Sequence, residues 1–164
     1  MNQIVIRDAV RQDFKQIARI SVEAYRQYAE AITPENWNKM QTTLTNVANT
    51  ANLASLIVAD KNNNILGSIA YYASGKSNPN IFPIEWASIR LLAVSPAYQG
   101  KGIGKLLVQE CIQRAKKNNA PVIGIHTSEL MTVARKMYPK MGFQQDKELP
   151  SRFGLRYWRY VLKL

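Results

Sequence analysis

Cysteine and histidine are nearly absent from this chain: Cys111 and His126 are the sole representatives of their types among 164 residues. A lone cysteine cannot close an internal disulfide, so a reducing compartment, the cytoplasm, is the expected location. No grouping of His, Cys and carboxylates has metal-ligand spacing, so no metal is expected. No apolar run approaches membrane-spanning length. Residues 1–8 lack a charged stretch followed by an apolar one, so neither a signal peptide nor a membrane partner is expected. There is no repeat of fixed period and no low-complexity linker, and one domain over residues 1–164 is expected. Acid is also scarce, with 11 Asp and Glu against 22 Lys and Arg, a net charge of +11. Such a field favours anionic partners (nucleotides, nucleic acid or anionic surfaces) without choosing among them. Between residues 86 and 109 acid is missing altogether, while Arg90, Lys101 and Lys105 are present.

What is there is a globular composition, 46% hydrophobic, on a chain long enough to bury a core. Residues 4–6 read as a short strand. Asp13 is placed to cap a helix that carries Phe14, Ile17, Ala18, Ser21 and Tyr25 on one face. Thr33-Pro34-Glu35 starts a second helix with Pro34 at its first position, running weakly to about residue 51. Residues 54–59 and 65–72 read as a hairpin around an asparagine-rich turn. A loop with Gly75, Pro79 and Pro83 leads to a buried strand over 86–94, ended by Ser95-Pro96. Beyond a glycine-rich turn, Ile103, Leu106, Leu107, Cys111, Ile112 and Ala115 recur at helical spacing. A strand over 122–127 and a helix over 130–141 follow, with Pro139 ending or bending the last turn. Two strands close the chain, from 143 onward and over 155–162. Alternating strands and helices flanked by hairpins predict an α/β fold, with a mixed sheet of about six to seven strands and about four helices.

The turn Gln99-Gly100-Lys101-Gly102-Ile103-Gly104 can be tested against three phosphate-binding patterns. The P-loop pattern fails, because Gln99 stands where its first glycine belongs and Leu106 where Ser or Thr belongs. The dinucleotide pattern G-x-G-x-x-G fails in both registers, which would need glycine at Lys105 or Leu107. The pattern [Q/R]-x-x-G-x-[G/A] between a strand and a helix fits Gln99, Gly102 and Gly104. Glycines let the backbone approach an anion closely. The first N–H groups of the helix have no internal partner and carry the positive end of its dipole. Lys101 and Lys105 oppose that dipole by roughly 0.3–1 kcal/mol each, a sign that a bound pyrophosphate would reverse.

Three segments together resemble the GNAT (Gcn5-related N-acetyltransferase) superfamily. They are Ile89-Arg90-Leu91-Leu92-Ala93-Val94-Ser95-Pro96, the stretch from Tyr98 through Leu107 containing the turn, and Ala134-Arg135-Lys136-Met137-Tyr138-Pro139-Lys140-Met141-Gly142-Phe143. The resemblance implies acetyl-CoA as cofactor and direct acyl transfer, without a metal, to a primary amine of a small molecule or peptide. It implies that the pantetheine arm pairs with the backbone of Leu92, Ala93 and Val94. The pyrophosphate would lie on the turn formed by Gln99, Gly100, Lys101, Gly102, Ile103, Gly104 and Lys105. Tyr138 matches the position whose hydroxyl faces the sulfur; a phenol is protonated at neutral pH and can donate. The resemblance leaves room for a homodimer. One departure is Met131, where many members have an asparagine that contacts the cofactor; that contact is then either missing or replaced by Thr127 or Ser128.

The attacking amine must lose a proton, so a base or a water chain is needed. The position often acidic in relatives is Ser88 here. Glu85, at the start of the strand, is the remaining carboxylate nearby and the candidate catalytic base; strand geometry puts residues 85, 87 and 89 on one face. His126 is a second candidate, against a structural histidine with satisfied partners. The acceptor site is expected between the first two helices, loop 73–83 and the segment after Phe143. Tyr25, Tyr28, Trp37, Tyr71, Tyr72 and Trp86 are candidates for its wall, and residues 148–156 for its cover. Two other readings compete. One is a module of this fold that binds acyl-CoA without turnover. The other is nucleic-acid binding, for which only the run Arg156-Tyr157-Trp158-Arg159-Tyr160 speaks, at a spacing that also suits an edge strand.

Overall fold

The computed structural model describes residues 3–164. Met1 and Asn2, the start of the stretch without leader character, lie outside the described residues. The strands are β1 (Val5–Asp8), β2 (Ser55–Lys61), β3 (Asn64–Tyr72), β4 (Ala87–Val94), β5 (Val122–Ser128), β6 (Gln144–Arg152) and β7 (Leu155–Lys163). They form one seven-stranded sheet in the order β1-β2-β3-β4-β5-β7-β6. Every pairing is antiparallel except β4 with β5. Helices α1 (Phe14–Tyr25), α2 (Pro34–Thr45), α3 (Val47–Leu53), α4 (Ile103–Lys117) and α5 (Thr132–Lys140) flank it. The expected mixed α/β sheet is thus present, with five α-helices rather than about four. The weak second helix breaks at Asn46, whose φ of −84° and ψ of 56° leave the helical region.

Strand alternation sends side chains to opposite faces and explains both layers. On β2, Ile57 and Ala59 meet the α4 residues Leu107, Val108 and Cys111, while Leu56 and Val58 meet Ile17 and Ile20 of α1. Each fully buried Leu, Ile or Val contributes roughly 1.5–3 kcal/mol. Thr33 caps α2 as expected, its Oγ1 accepting from the Asn36 N–H at 3.1 Å. Asp13 does not cap α1. Its own backbone is already helical, and its carboxylate accepts from the Val10 N–H and from Arg7. Pro139 falls one residue before the end of α5, which stops at Lys140, as a proline in the last turn leads one to expect.

The closing hairpin differs from its sequence reading. β7 lies inside the sheet between β5 and β6, not at an edge. Arg156 and Arg159 of the basic-aromatic run are paired with Glu148 and Asp146, and they lie over the rings of Trp158 and Trp86. That run therefore presents little free charge to a phosphate backbone. Residues 148–156, the candidate cover, form a tight hairpin with the start of β7. Phe153 and Gly154 both have positive φ, 54° and 74°, as a two-residue turn between right-twisted strands requires.

The sheet opens at its centre. β4 and β5 pair at Ala87, Ser88 and Ile89 with Ile123, Gly124 and Ile125, and no further. Beyond Ile89 and Ile125 the two parallel strands diverge, leaving a wedge between them. β4 also carries a bulge there: its register against β3 shifts between Ser68 and Ala70, and Leu91 has a φ of 61°. A non-glycine residue in that region costs roughly 1–2 kcal/mol, and such strain concentrates at functional sites.

Candidate active site

The wedge continues into a cavity of about 670 Å³ walled by β4, β5, the start of α4, α5, the C-terminal half of α1, α2 and the tip of the β6–β7 hairpin. At one end stands the glycine turn. Gly100 and Gly102 have φ of 78° and 83°, and Gly102 is the N-cap of α4, so both need glycine for conformation. Gly104 has ordinary backbone, and a Cβ on it would meet only Leu92 and Val94 at 3.8 Å, which explains why alanine also satisfies the pattern there. Lys105 lines the cavity. Lys101 does not; its Nζ lies 5.2 Å from the centroid of the Tyr98 ring. Gln99 braces the turn, its side-chain amide donating to the Val94 carbonyl at 3.1 Å. The first turn of α4 carries no acid.

Midway, Leu92, Ala93 and Val94 line the wall. The Leu92 carbonyl already accepts the Tyr25 hydroxyl at 3.0 Å, and each carbonyl keeps a second lone pair. Tyr138 reaches the cavity from α5 and is 2% exposed. Its ring packs against Phe143 and Tyr160 at centroid distances of 5.7 and 5.9 Å, which is how the Tyr-x-x-x-Gly-Phe pattern holds the phenol in place. Burial, with nearby Tyr25, pushes its pKa upward, so the hydroxyl keeps its proton throughout the neutral range. Met131 also lines the cavity, and its Sδ accepts the Thr127 hydroxyl at 3.2 Å. Thr127 thus supplies a polar group on that wall, whereas Ser128 does not reach it.

The far end holds His126, Arg90, Arg152, Phe153 and Tyr157. His126 is the first β5 residue past the point where the strands part. Its Nδ1 is buried with no protein group hydrogen-bonded to it, and its ring lies 6.0 and 5.8 Å from those of Phe82 and Tyr157. Burial first, then the charges of Arg90 and Arg152, push its pKa down to about 3 and keep the imidazole neutral. Glu85 is not brought to this site. It is exposed in the turn before β4, which begins only at Ala87, so strand alternation does not extend back to it. Ser88 is buried against Ser77, with 2.6 Å between hydroxyls, and also lies outside the cavity. No Asp or Glu lines the cavity at all. Of the six aromatic wall candidates, only Tyr25 and Tyr28 take part. Tyr71 and Tyr72 are core residues, Trp86 lies under Arg159, and Trp37 packs in the cluster around Met40. Leu91 and Tyr157 were not among the wall candidates, while Arg152 and Phe153 fall in the segment 148–156 expected to cover the site.

A sequence model of the acetyltransferase (GNAT) family matches residues 14–143. The chain belongs to this GNAT family. It is 30% identical over 112 residues to N-acetyltransferase 8F1 of Rattus norvegicus, an alignment covering 65% of this chain and 46% of that protein. The chain thus spans under half the length of that curated relative. Solved GNAT structures share the fold over nearly the whole chain. The PaiA N-acetyltransferase of Thermoplasma acidophilum, in complex with coenzyme A, has a TM-score of 0.77 at 20% identity, with 99% of both chains covered. An acetyltransferase of Salmonella typhimurium, solved with its cofactor acetyl-CoA, has a TM-score of 0.73 at 21% identity, covering 99% of this chain and 94% of that one. The GNAT match ends at Phe143, so the hairpin carrying Arg152 and Phe153 lies beyond it. Among the described residues, no helix is long and apolar enough to cross a membrane, and no group of three His, Cys, Asp or Glu side chains is placed to hold a metal ion.

Proposed function

We propose that residues 1–164 act as one domain that transfers an acetyl group from acetyl-CoA to a primary amine of a small molecule or peptide. The observation that carries this reading is the continuity of one cavity from the glycine turn, past the parted strands, to a buried tyrosine. The residues suit the cofactor: open amides at the α4 N-terminus with Lys105 for the pyrophosphate, and the β4 edge at Leu92, Ala93 and Val94 for the pantetheine arm. When bound, acetyl-CoA supplies the thioester that the amine attacks. Tyr138 holds a proton at its Oη for the departing sulfur. With its pKa pushed down to about 3 by burial, Arg90 and Arg152, His126 is too weak a base to hold the amine proton, so that proton leaves through water in the cavity. The exposed position of Glu85 leaves it no direct part in that step.

Purified protein with acetyl-CoA and an amine panel should release free thiol. Tyr138→Phe should lower kcat by about a hundredfold, the low end for a lost general acid, while coenzyme A affinity measured by calorimetry stays within about twofold. An unchanged kcat would remove Tyr138 from the mechanism. A second reading, an acyl-CoA-binding module without turnover, draws on the lack of any carboxylate in the cavity. Tight acetyl-CoA binding with no thiol release across the panel would favour it.

A further inference from the structure

The acceptor end of the cavity contains two arginines and nothing to neutralise them. Arg90 is the first β4 residue beyond the last β5 pairing, and Arg152 ends β6 at the hairpin tip. Both line the cavity, and Arg90 Nε is buried with no hydrogen-bond partner. Among the described residues neither makes an ion pair. By contrast, Arg7, Arg114, Arg156 and Arg159 each hold a carboxylate within 3.1 Å. Burial and the proximity of Arg90 both make it harder for Arg152 to keep its charge. Enclosing like charges without a counterion is unfavourable, and a protein keeps such a pair at a stability cost unless a ligand relieves it.

That ligand is not the pyrophosphate. The glycine turn follows Val94, four residues along β4 from Arg90, which at ~3.3 Å per residue is about 13 Å away. The negative charge must come with the acceptor. A guanidinium fork binds a carboxylate through two parallel hydrogen bonds, and a second guanidinium opposite it completes the shell. A polyamine or a lysine side chain in its place would bring positive charge to two guanidiniums with no carboxylate nearby.

Resting on the acetyltransferase reading above, we infer that the acceptor amine carries a carboxylate and that this carboxylate sits between Arg90 and Arg152. The acceptor class is amino-acid-like. Its carboxylate is held at the mouth formed by β4 and the hairpin tip, and its amine points inward along the wedge toward Tyr138. Arg90 and Arg152 are specificity-determining residues in this arrangement.

The test measures thiol release at saturating acetyl-CoA for paired acceptors: free amino acids, including aspartate and glutamate; their fully amidated forms; a tripeptide amide beginning with Asp or Glu; and spermidine. Carboxylate forms should exceed amides in kcat/KM by about tenfold to a hundredfold, the range for charge-assisted hydrogen bonds, and spermidine should not turn over. A response to the tripeptide as strong as to free amino acids would assign the carboxylate to a peptide side chain; a response to free amino acids alone would assign it to a small metabolite. Arg90→Gln and Arg152→Gln should each erase most of the carboxylate preference, mainly through KM. Their thermal midpoints without acceptor should equal or exceed the parent's, because one of two half-buried like charges is removed. Preference for amides or spermidine, or an unchanged preference in both variants, would overturn the inference. Should no amine react, the acetyltransferase reading fails, and the anion site is judged by calorimetry with N-acetyl amino acids on the coenzyme A-loaded protein. Binding abolished by Arg152→Gln supports the site, and no binding overturns it.

Discussion

His126 shows how the chemistry of a residue follows from its neighbours. An ordinary imidazole titrates near neutrality; here burial, Arg90 and Arg152 hold it neutral down to about pH 3. Nitrogen chemical shifts of His126 should therefore stay flat between pH 8 and 5, and a titration near 6.5 would show that the cavity does not enclose it. Tyr138 stands at the opposite extreme, a phenol that burial keeps protonated. In the proposed transfer a phenol that keeps its proton suits thiolate departure, whereas an imidazole this reluctant to protonate does not suit removal of the amine proton.

Each element of the site holds its geometry through a few backbone positions. The turn before α4 separates its glycines by role. Gly102→Ala forces an L-residue to φ 83° and should destabilise the protein by about 1–2 kcal/mol and weaken coenzyme A binding. Gly104→Ala adds a methyl in ordinary contact with Leu92 and Val94 and should leave affinity within about twofold, as calorimetry on both variants will show. The β6–β7 hairpin works at the other end. Gly154 has φ 74°, and a Cβ there would press on Asn36 Nδ2 of α2 at 3.3 Å. Gly154→Ala should loosen the tip that carries Arg152 and Phe153. The expected signature is a KM for the amine raised several-fold with coenzyme A affinity unchanged; loss of coenzyme A binding instead would mean that the tip supports the whole cavity.

At the scale of the whole molecule, titratable groups confine stability to a neutral window. His126 binds a proton in the unfolded chain near pH 6.5 but in the folded chain only near 3, so stability falls as pH drops through that interval. Asp13, held below the usual carboxylate range first by its hydrogen bond from Arg7, extends the decline. Its contribution is complete above 3.8 and is lost as pH falls through its folded-state value. On the alkaline side burial pushes Cys111, Tyr25 and Tyr138 upward, so the unfolded chain loses protons first, from about pH 9 to 10, and stability falls again. Urea midpoints should thus form a plateau between about pH 7 and 9. His126→Gln should flatten the acid limb between 6.5 and 4, and an unaltered limb there would assign it to other groups.

Much of this was legible along the chain wherever the signal was local. The turn is readable because glycine at Gly102 answers a dihedral demand of the residue itself. The helix over Ile103–Lys117 is readable because Leu107, Cys111 and Ala115 recur at its period. Tyr138, Gly142 and Phe143 lie on one short segment, so their spacing survives folding. The misreadings lie where position depends on a distant partner. Glu85 was placed by alternation from a strand that starts two residues later, and Asp13 by a cap whose carboxylate is claimed by Arg7. Only the tertiary structure decided that Arg90 and Arg152 share one end of a cavity free of acid. That meeting depends on a bulge at Leu91 and on the β6–β7 hairpin pairing with β5, both set by long-range strand pairing, which no local period records.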